Sequence, residues 1–287
     1  MNNKKNLINT ALLTAGTAAY LYVQNTKFQV SRYAVPIKKL APENEGLKIA
    51  HLSDLHFPYT KINLDALIKT LKKEQPDLIF LSGDQMDAAE PERTAEAHAF
   101  LKRLPAIAPT YAVEGNHDNK VKNHTHIYQG TGVTYLDNTA YSVMLSGRKP
   151  VVVMGVPEPS PFGKVQKDFL AKMTIRPDWA GQTRLLLAHR PELFKKYHAD
   201  ASKAPDVVFS GHAHGGQIRI PGIGGLFAPG QGRLPKYTAG VWALETDPTK
   251  HLVISRGLGP SHFPFRINNR PELIIATLEN HSGEWFF

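Results

Sequence analysis

Five short polar groups in this 287-residue chain carry residue types that could share one site. They are Asp54-Leu55-His56, Gly83-Asp84-Gln85-Met86-Asp87, Gly115-Asn116-His117-Asp118, the isolated His189, and Gly211-His212-Ala213-His214-Gly215-Gly216. Carboxylates supply hard oxygen ligands, imidazoles supply borderline nitrogen, and an asparagine carbonyl fills a coordination position without adding charge. That mixture suits a pair of divalent metal ions. Asp54 and His56, one residue apart, can reach one ion where the chain turns. Asp84 has two oxygens with which to bridge two ions. The chain has no cysteine, which excludes disulfides, thiolate ligands and cysteine nucleophiles.

Each group alone reads as an ordinary turn; their placement gives them weight. Lys48–Ser53 is a short apolar strand candidate that runs into the first group. Leu78-Ile79-Phe80-Leu81 runs into the second, and Tyr111-Ala112-Val113 into the third. Between them Leu64, Leu67, Ile68 and Leu71, and then Ala97, Phe100, Leu101 and Leu104, recur at helical spacing. Strand, helix, strand, helix, strand predicts right-handed crossovers and parallel pairing in a layered α/β fold. A second series begins at Val151–Met154. It continues through Arg184–Leu187, a helix opening at Pro191, Val207–Phe209, Val241–Leu244, His251–Ile254 and Leu273–Ala276. Its later strands lack helical spacers, which predicts a second, more antiparallel sheet. Two packed sheets with helices outside are therefore expected. Ligands gather at the carboxyl ends of strands in such sheets, so all five groups are expected to converge on one rim. His51 lies inside the first strand and reads as a core or supporting residue. His98, His124, His126, His198, His251, His262 and His281 read as surface or packing histidines.

The five ordered blocks resemble the calcineurin-like metallophosphoesterases, whose pattern is D-x-H, G-D-x-x-D, G-N-H-[DE], a later H, and G-H-x-H. The match runs over about residues 47–278. It implies an α/β fold of two mixed β-sheets flanked by helices, a four-layer α-β-β-α sandwich. Carried over by position, it assigns Asp54, His56 and His214 to one ion, Asn116, His189 and His212 to the other, and Asp84 to a bridge. It casts His117 as a catalytic histidine that contacts phosphate and leaving group, with Asp87 orienting it. The cofactor is expected to be two divalent ions, Mn²⁺, Fe²⁺ or Zn²⁺, sharing a hydroxide that attacks phosphorus. The stretches GHAHGGQIRIPGIGGLFAPGQGRLPKYTAG and SRGLGPSHFPFR look like the bacterial membrane-associated branch of YkuE/YaeI-type phosphodiesterases. That branch implies a phosphodiester or pyrophosphate substrate, lipid-linked or nucleotide-sugar, such as UDP-2,3-diacylglucosamine. The alternative is a broader phosphodiesterase, phosphomonoesterase or nuclease using the same site. A non-enzymatic scaffold would be expected to have lost a ligand or His117. Phosphoprotein phosphatases continue G-D-x-x-D with R-G, whereas Ala88-Ala89 stand here, which points away from that substrate class.

With 42% hydrophobic residues the chain can fill one substantial core, and a formal charge of +9 favours anionic partners. No zinc finger, RNA-binding strand signature or basic helix singles out nucleic acid. The N-terminus differs in kind. After Lys4 and Lys5, residues 7–23 carry no charge. As a helix they would span about 25 Å of a ~30 Å hydrocarbon core. Residues 1–46 are therefore expected to be a membrane anchor or signal segment with a linker, and 47–287 the catalytic domain. That reading places the protein at a bacterial cell membrane through a single anchor, or exported after signal cleavage. The glycine-rich 221–230 loop and Phe263-Pro264-Phe265 beside Arg266 are candidate walls for an acyl chain. Arg190 is a candidate phosphate contact.

Overall fold

The computed structural model describes residues 2–159, 168–261, 263 and 265–281. Helix α1 (Asn2–Thr26) precedes β1 (Gln29–Ile37) and β2 (Lys48–Leu52). Next come α2 (Leu64–Glu74), β3 (Leu78–Ser82), α3 (Ala95–Leu101), β4 (Thr110–Val113) and β5 (Thr134–Tyr135). The second half begins with β6 (Thr139–Val143), β7 (Val151–Gly155), β8 (Arg184–Leu187) and β9 (Val207–Ser210). Two small hairpins follow, β10 (Arg219–Ile220) with β11 (Gly224–Gly225) and β12 (Phe227–Ala228) with β13 (Gly232–Arg233). The chain closes with β14 (Gly240–Leu244), β15 (Asp247–Ile254) and β16 (Glu272–Asn280).

Two mixed six-stranded sheets pack face to face, ordered β1-β16-β2-β3-β4-β5 and β14-β15-β9-β8-β7-β6. Their central strands are apolar on both faces, as strands covered from both sides must be. Ile49, Leu78, Phe80, Val113, Val153, Leu185, Leu187, Val207 and Phe209 fill the space between the sheets. The Phe80 and Phe209 rings meet edge to face there, with centroids 5.1 Å apart. The alternate residues Ala50, Leu52, Ile79, Leu81 and Ala112 face outward beneath the helices. Leu67, Ile68 and Leu71 of α2 and Ala97, Phe100 and Leu101 of α3 cover them, as the helical stripes predict. Asn63 caps α2 by accepting from Ala66 N (2.8 Å), an interaction that stabilises a helix by about 1 kcal/mol. The result is the expected four-layer α/β sandwich.

Several details differ from expectation. Only the edge pairs β14–β15 and β6–β7 of the second sheet are antiparallel; its interior pairs are parallel. β16 joins the first sheet, antiparallel to β2 and parallel to β1. β1 lies in the stretch expected to be linker, and Arg32 and Pro36 interrupt its apolar pattern. Both are tolerated on an edge strand. The helix expected at Pro191 is replaced by 3-10 turns at Pro191–Leu193 and Lys196–His198. Tyr197 Oη there satisfies the Arg190 carbonyl (3.0 Å), and His198 Nδ1 satisfies the Phe194 carbonyl (2.9 Å). The 221–230 stretch forms parts of the two hairpins, leaving Ile223 and Phe227 exposed.

The membrane reading of the N-terminus is overturned. Although α1 has 25 residues, no described helix is long and apolar enough to cross a membrane. Asn9, Thr10, Thr14 and Thr17 dilute the uncharged run, so it lacks the apolarity a spanning segment needs. The expected transmembrane helix, membrane association and cell-membrane localisation therefore find no support in the fold.

Candidate metal centre

All five polar groups leave their strands at one rim. The turn after β2 delivers Asp54 and His56, that after β3 Asp84 and Asp87, and that after β4 Asn116 and His117. His189 follows β8, and His212 and His214 follow β9. Three overlapping groups bring ligand-type atoms within 4.8 Å of one another: Asp54 with His56 and His214, Asp84 with His189 and His212, and His56 with Asp84 and His117. His56 Nε2 lies 3.3 Å from His214 Nε2, and His189 Nε2 lies 3.2 Å from His212 Nδ1. Asp84 joins the clusters through a single oxygen. Its Oδ2 is 3.2 Å from His189 Nε2 and 3.7 Å from His56 Nε2, while Oδ1 accepts from His117 N (2.8 Å).

Supporting bonds aim the rings. His189 Nδ1 donates to the Ser82 carbonyl (2.8 Å), which leaves the Nε2 lone pair facing Asp84 and His212. His56 Nδ1 donates to Asp87 Oδ2 (3.1 Å), which aims its Nε2 at His214. This is the second hydrogen bond that metal-binding histidines ordinarily make. Asp87 Oδ2 also lies 3.5 Å from His117 Nδ1, so Asp87 touches both histidines but is nearer His56. The residues fit a pair of divalent cations on a further ground. Asn116 Oδ1 and His212 Nε2 are buried with no hydrogen-bond partner, a costly state for a polar atom unless something else satisfies it.

The backbone is strained at these positions. Asp54, His56, Asp84, His212 and His214 all hold positive φ, between 46° and 64°. That conformation costs a non-glycine residue about 1 kcal/mol or more, and such outliers cluster at functional sites. Glycine is needed where loops cross. A Cβ on Gly83 (φ 105°) would stand 2.5 Å from His189 Nδ1, and one on Gly211 would overlap Ser53 Oγ. Asp118 ties the second and third groups together. Its Oδ1 accepts from Met86 N (2.7 Å), and its Oδ2 accepts from Gly115 N (2.9 Å) and Gln85 N (3.2 Å).

Electrostatics follow the geometry. Burial pushes the His189 imidazole down, but the Asp84 carboxylate, with Asp54 and Glu158 behind it, outweighs this and raises it to about 10. Burial likewise opposes ionisation of Asp84, yet His189 and then His56 hold that carboxyl well below its usual range. Burial and then the Asp84 charge raise Asp118 to about 7, against the three N–H donors. Burial, reinforced by His189 and Arg190, lowers His212 to about 2. Burial also lowers His117, so its neutral ring prevails at neutral pH.

A pH dependence follows. His189 must lose its proton before Nε2 can ligate a cation, so metal affinity should rise with pH towards about 10, by up to ~10-fold per unit. Mn²⁺ calorimetry in buffers of different ionisation heat should detect the released proton; an affinity flat between about pH 6 and about pH 9 would contradict this. In the metal-free protein the sign reverses. The raised His189 contributes stability that is complete below 6.5, its unfolded value, and lost as pH climbs through about 10.

An open cleft of about 420 Å³ exposes the centre. Asp84, Asn116, His117, His212 and His214 line its floor; Tyr59, Lys61, Pro229, Pro260 and Ser261 line its walls. Sequence reasoning missed Tyr59 and Lys61, which follow His56 on an ordinary-looking polar turn. It also gave Arg266 and Asn269 no role at the site, although both are buried beside His214. No local signal marks them, because their partners lie some fifty residues away in the chain. Arg190 is held instead by Glu158 (2.5 Å) and Glu192 (3.3 Å). His51 is buried and bonded to Ser82 Oγ (2.7 Å), as a core histidine should be. Phe263 and Phe265 are partly exposed, whereas Pro264 and His262 lie outside the described residues.

This fold and these clusters define a metal-dependent phosphoesterase. The calcineurin-like phosphoesterase profile matches residues 47–216, and the chain belongs to that family. It is 32% identical over 243 residues to the phosphodiesterase YaeI of Escherichia coli, covering 80% of this chain and 82% of that protein. It is 28% identical over 278 residues to the uncharacterized metallophosphoesterase YkuE of Bacillus subtilis, covering 94% and 92%. Among solved structures, a 5'-nucleotidase precursor from Thermus thermophilus aligns with a TM-score of 0.46 and 14% identity. The alignment covers 74% of this chain and about half, 49%, of that one.

Proposed function

We propose that the chain hydrolyses phosphodiesters with broad tolerance for the second substituent, using the centre formed by Asp54, His56, Asp84, Asn116, His189, His212 and His214. The observation that carries this reading is the open cleft, which leaves room beside the ligands for a group on each side of phosphorus. The name of the E. coli relative, a phosphodiesterase, supports it. These residues would hold two divalent ions, whose chemistry would be Lewis acidity and a lowering of a water pKa from ~15.7 towards ~7.

The protein's own groups do the rest. His117 Nδ1 accepts a long bond from Ala88 N (3.4 Å), which puts the hydrogen of the neutral ring on Nε2. That N–H is the hydrogen-bond donor we assign to the leaving-group oxygen, since His117 lines the cleft floor, and full proton transfer to the departing alkoxide requires the ring to carry a proton on both nitrogens. A second proton on Nδ1 would face Asp87 Oδ2 at 3.5 Å, so Asp87 favours the charged ring should it form. Lys61 contributes a positive charge to the wall and Tyr59 an exposed ring. Together they suit a second anionic or planar substituent. A nucleotide-sugar pyrophosphate such as UDP-2,3-diacylglucosamine is a narrower form of the same reading.

The test is turnover with Mn²⁺ of bis-p-nitrophenyl phosphate beside p-nitrophenyl phosphate, then of glycerophosphodiesters, cyclic nucleotides and UDP-2,3-diacylglucosamine. The expected result is a diester preference of at least ~10-fold in kcat/KM, about 1.4 kcal/mol of transition-state binding. A preference for the monoester would overturn it.

A further inference from the structure

We propose that the last turn of α1 and the segment 266–270 form a brace that sets His214, and so tunes cation affinity in the Asp54–His56–His214 cluster alone. The proposal goes beyond the hydrolytic reading, because it concerns how the chain holds a metal and not which ester it cleaves.

Residues 5–20 of α1 are exposed throughout, so apolar burial does not hold this helix in place. Polar bonds at its C-terminal end do. Tyr20 Oη donates to Asn268 Oδ1 (2.8 Å) and accepts from Asn268 N (3.0 Å). Gln24 Oε1 accepts from Asn269 N (2.9 Å), and Asn25 Oδ1 accepts from Arg266 N (3.0 Å). In return Arg270 donates to the carbonyls of Lys27 (2.8 Å) and Phe28 (2.9 Å). Three contacts on main-chain N–H groups, those of Arg266, Asn268 and Asn269, fix the path of the segment as well as its position.

That segment reaches into the site. Asn269 is fully buried, and its Nδ2 donates to the carbonyls of His214 (2.7 Å) and Gln217 (3.0 Å). Arg266 is buried too. It donates to the carbonyls of Gly259 (2.7 Å) and Arg256 (2.8 Å) and holds Nη2 3.4 Å from His214 Nδ1. His214 adopts φ 46°, a conformation that persists only when its surroundings over-determine it. Asn269 and Arg266 are those surroundings, and α1 holds both. The other cluster is braced elsewhere, by Ser82 O on His189 Nδ1. The brace therefore acts on one cation position and spares the other.

The experiment compares Gln24→Met/Asn25→Leu, which removes both acceptors, with Gln24→Glu/Asn25→Asp, which retains them. Tyr20→Phe, at a half-exposed side chain, is the second probe and places no core packing at risk. Mn²⁺ titration of the full chain by calorimetry, with the visible spectrum of the Co²⁺-loaded protein, reads the two positions separately. The expected result is a loss of about 10-fold to 100-fold in affinity at one position, the range typical of removed supporting bonds, with the other unchanged. Rescue by the Glu/Asp variant and a changed Co²⁺ spectrum should accompany it. Unchanged affinity at both positions would overturn the proposal. So would equal weakening of both, which a general loss of fold stability produces. Neither outcome bears on diester preference, which the wild-type substrate panel reads separately.

Discussion

Asp84→Asn should empty the centre of both ions and cost at least ~1,000-fold in kcat/KM, about 4 kcal/mol of transition-state stabilisation. The reason is geometric. Asp84 Oδ2 is the atom within 4 Å of His189 Nε2 in one cluster and of His56 Nε2 in the other. Asparagine keeps the volume and can keep the bond from His117 N to Oδ1, so the loop should remain in place. What disappears is the charge that two cations would share. Metal content after dialysis and turnover of the diester should fall together. Retention of both ions at wild-type affinity would remove Asp84 from the role assigned to it.

His117→Asn should behave in the opposite way, lowering kcat by ~100-fold to ~10,000-fold, the range for a lost proton donor, while metal content stays near wild type. The His117 main-chain N–H, which holds Asp84 Oδ1, survives the substitution. The ring stands edge-on to His56, centroids 4.6 Å apart, and belongs to neither of the two outer ligand groups. If the variant loses metal as completely as Asp84→Asn, His117 is a ligand and the donor assignment fails. The pair of variants thus separates holding the ions from using them.

Much of this was legible in the chain because the chemistry sits where apolar runs stop. Leu78–Leu81 is apolar at every position, as a strand covered on both faces must be, and Gly83-Asp84 marks where the covering ends. The same junction recurs after Val113 and Phe209, so strand ends and ligands were found together. Features governed by partners distant in sequence were not. β1 hides an edge strand behind Arg32 and Pro36, and its partner β16 lies about 240 residues on. The uncharged run 7–23 resembles a membrane segment in its lack of charge, but Asn9 and three threonines keep it too polar to span one. The helix instead ends in Tyr20, Gln24 and Asn25, whose polar ends bond to 266–269. The positive φ values at Asp54, His56, Asp84, His212 and His214 could not be read either, since only glycine announces that conformation in sequence.

The most direct test of the central claim is anomalous diffraction from crystals of the full chain grown with Mn²⁺. Two peaks should appear per molecule, one within ligand distance of Asp54, His56 and His214 and one within ligand distance of Asn116, His189 and His212, with Asp84 reaching both. A single peak, or two that leave Asp84 uncoordinated, would contradict a shared two-cation centre.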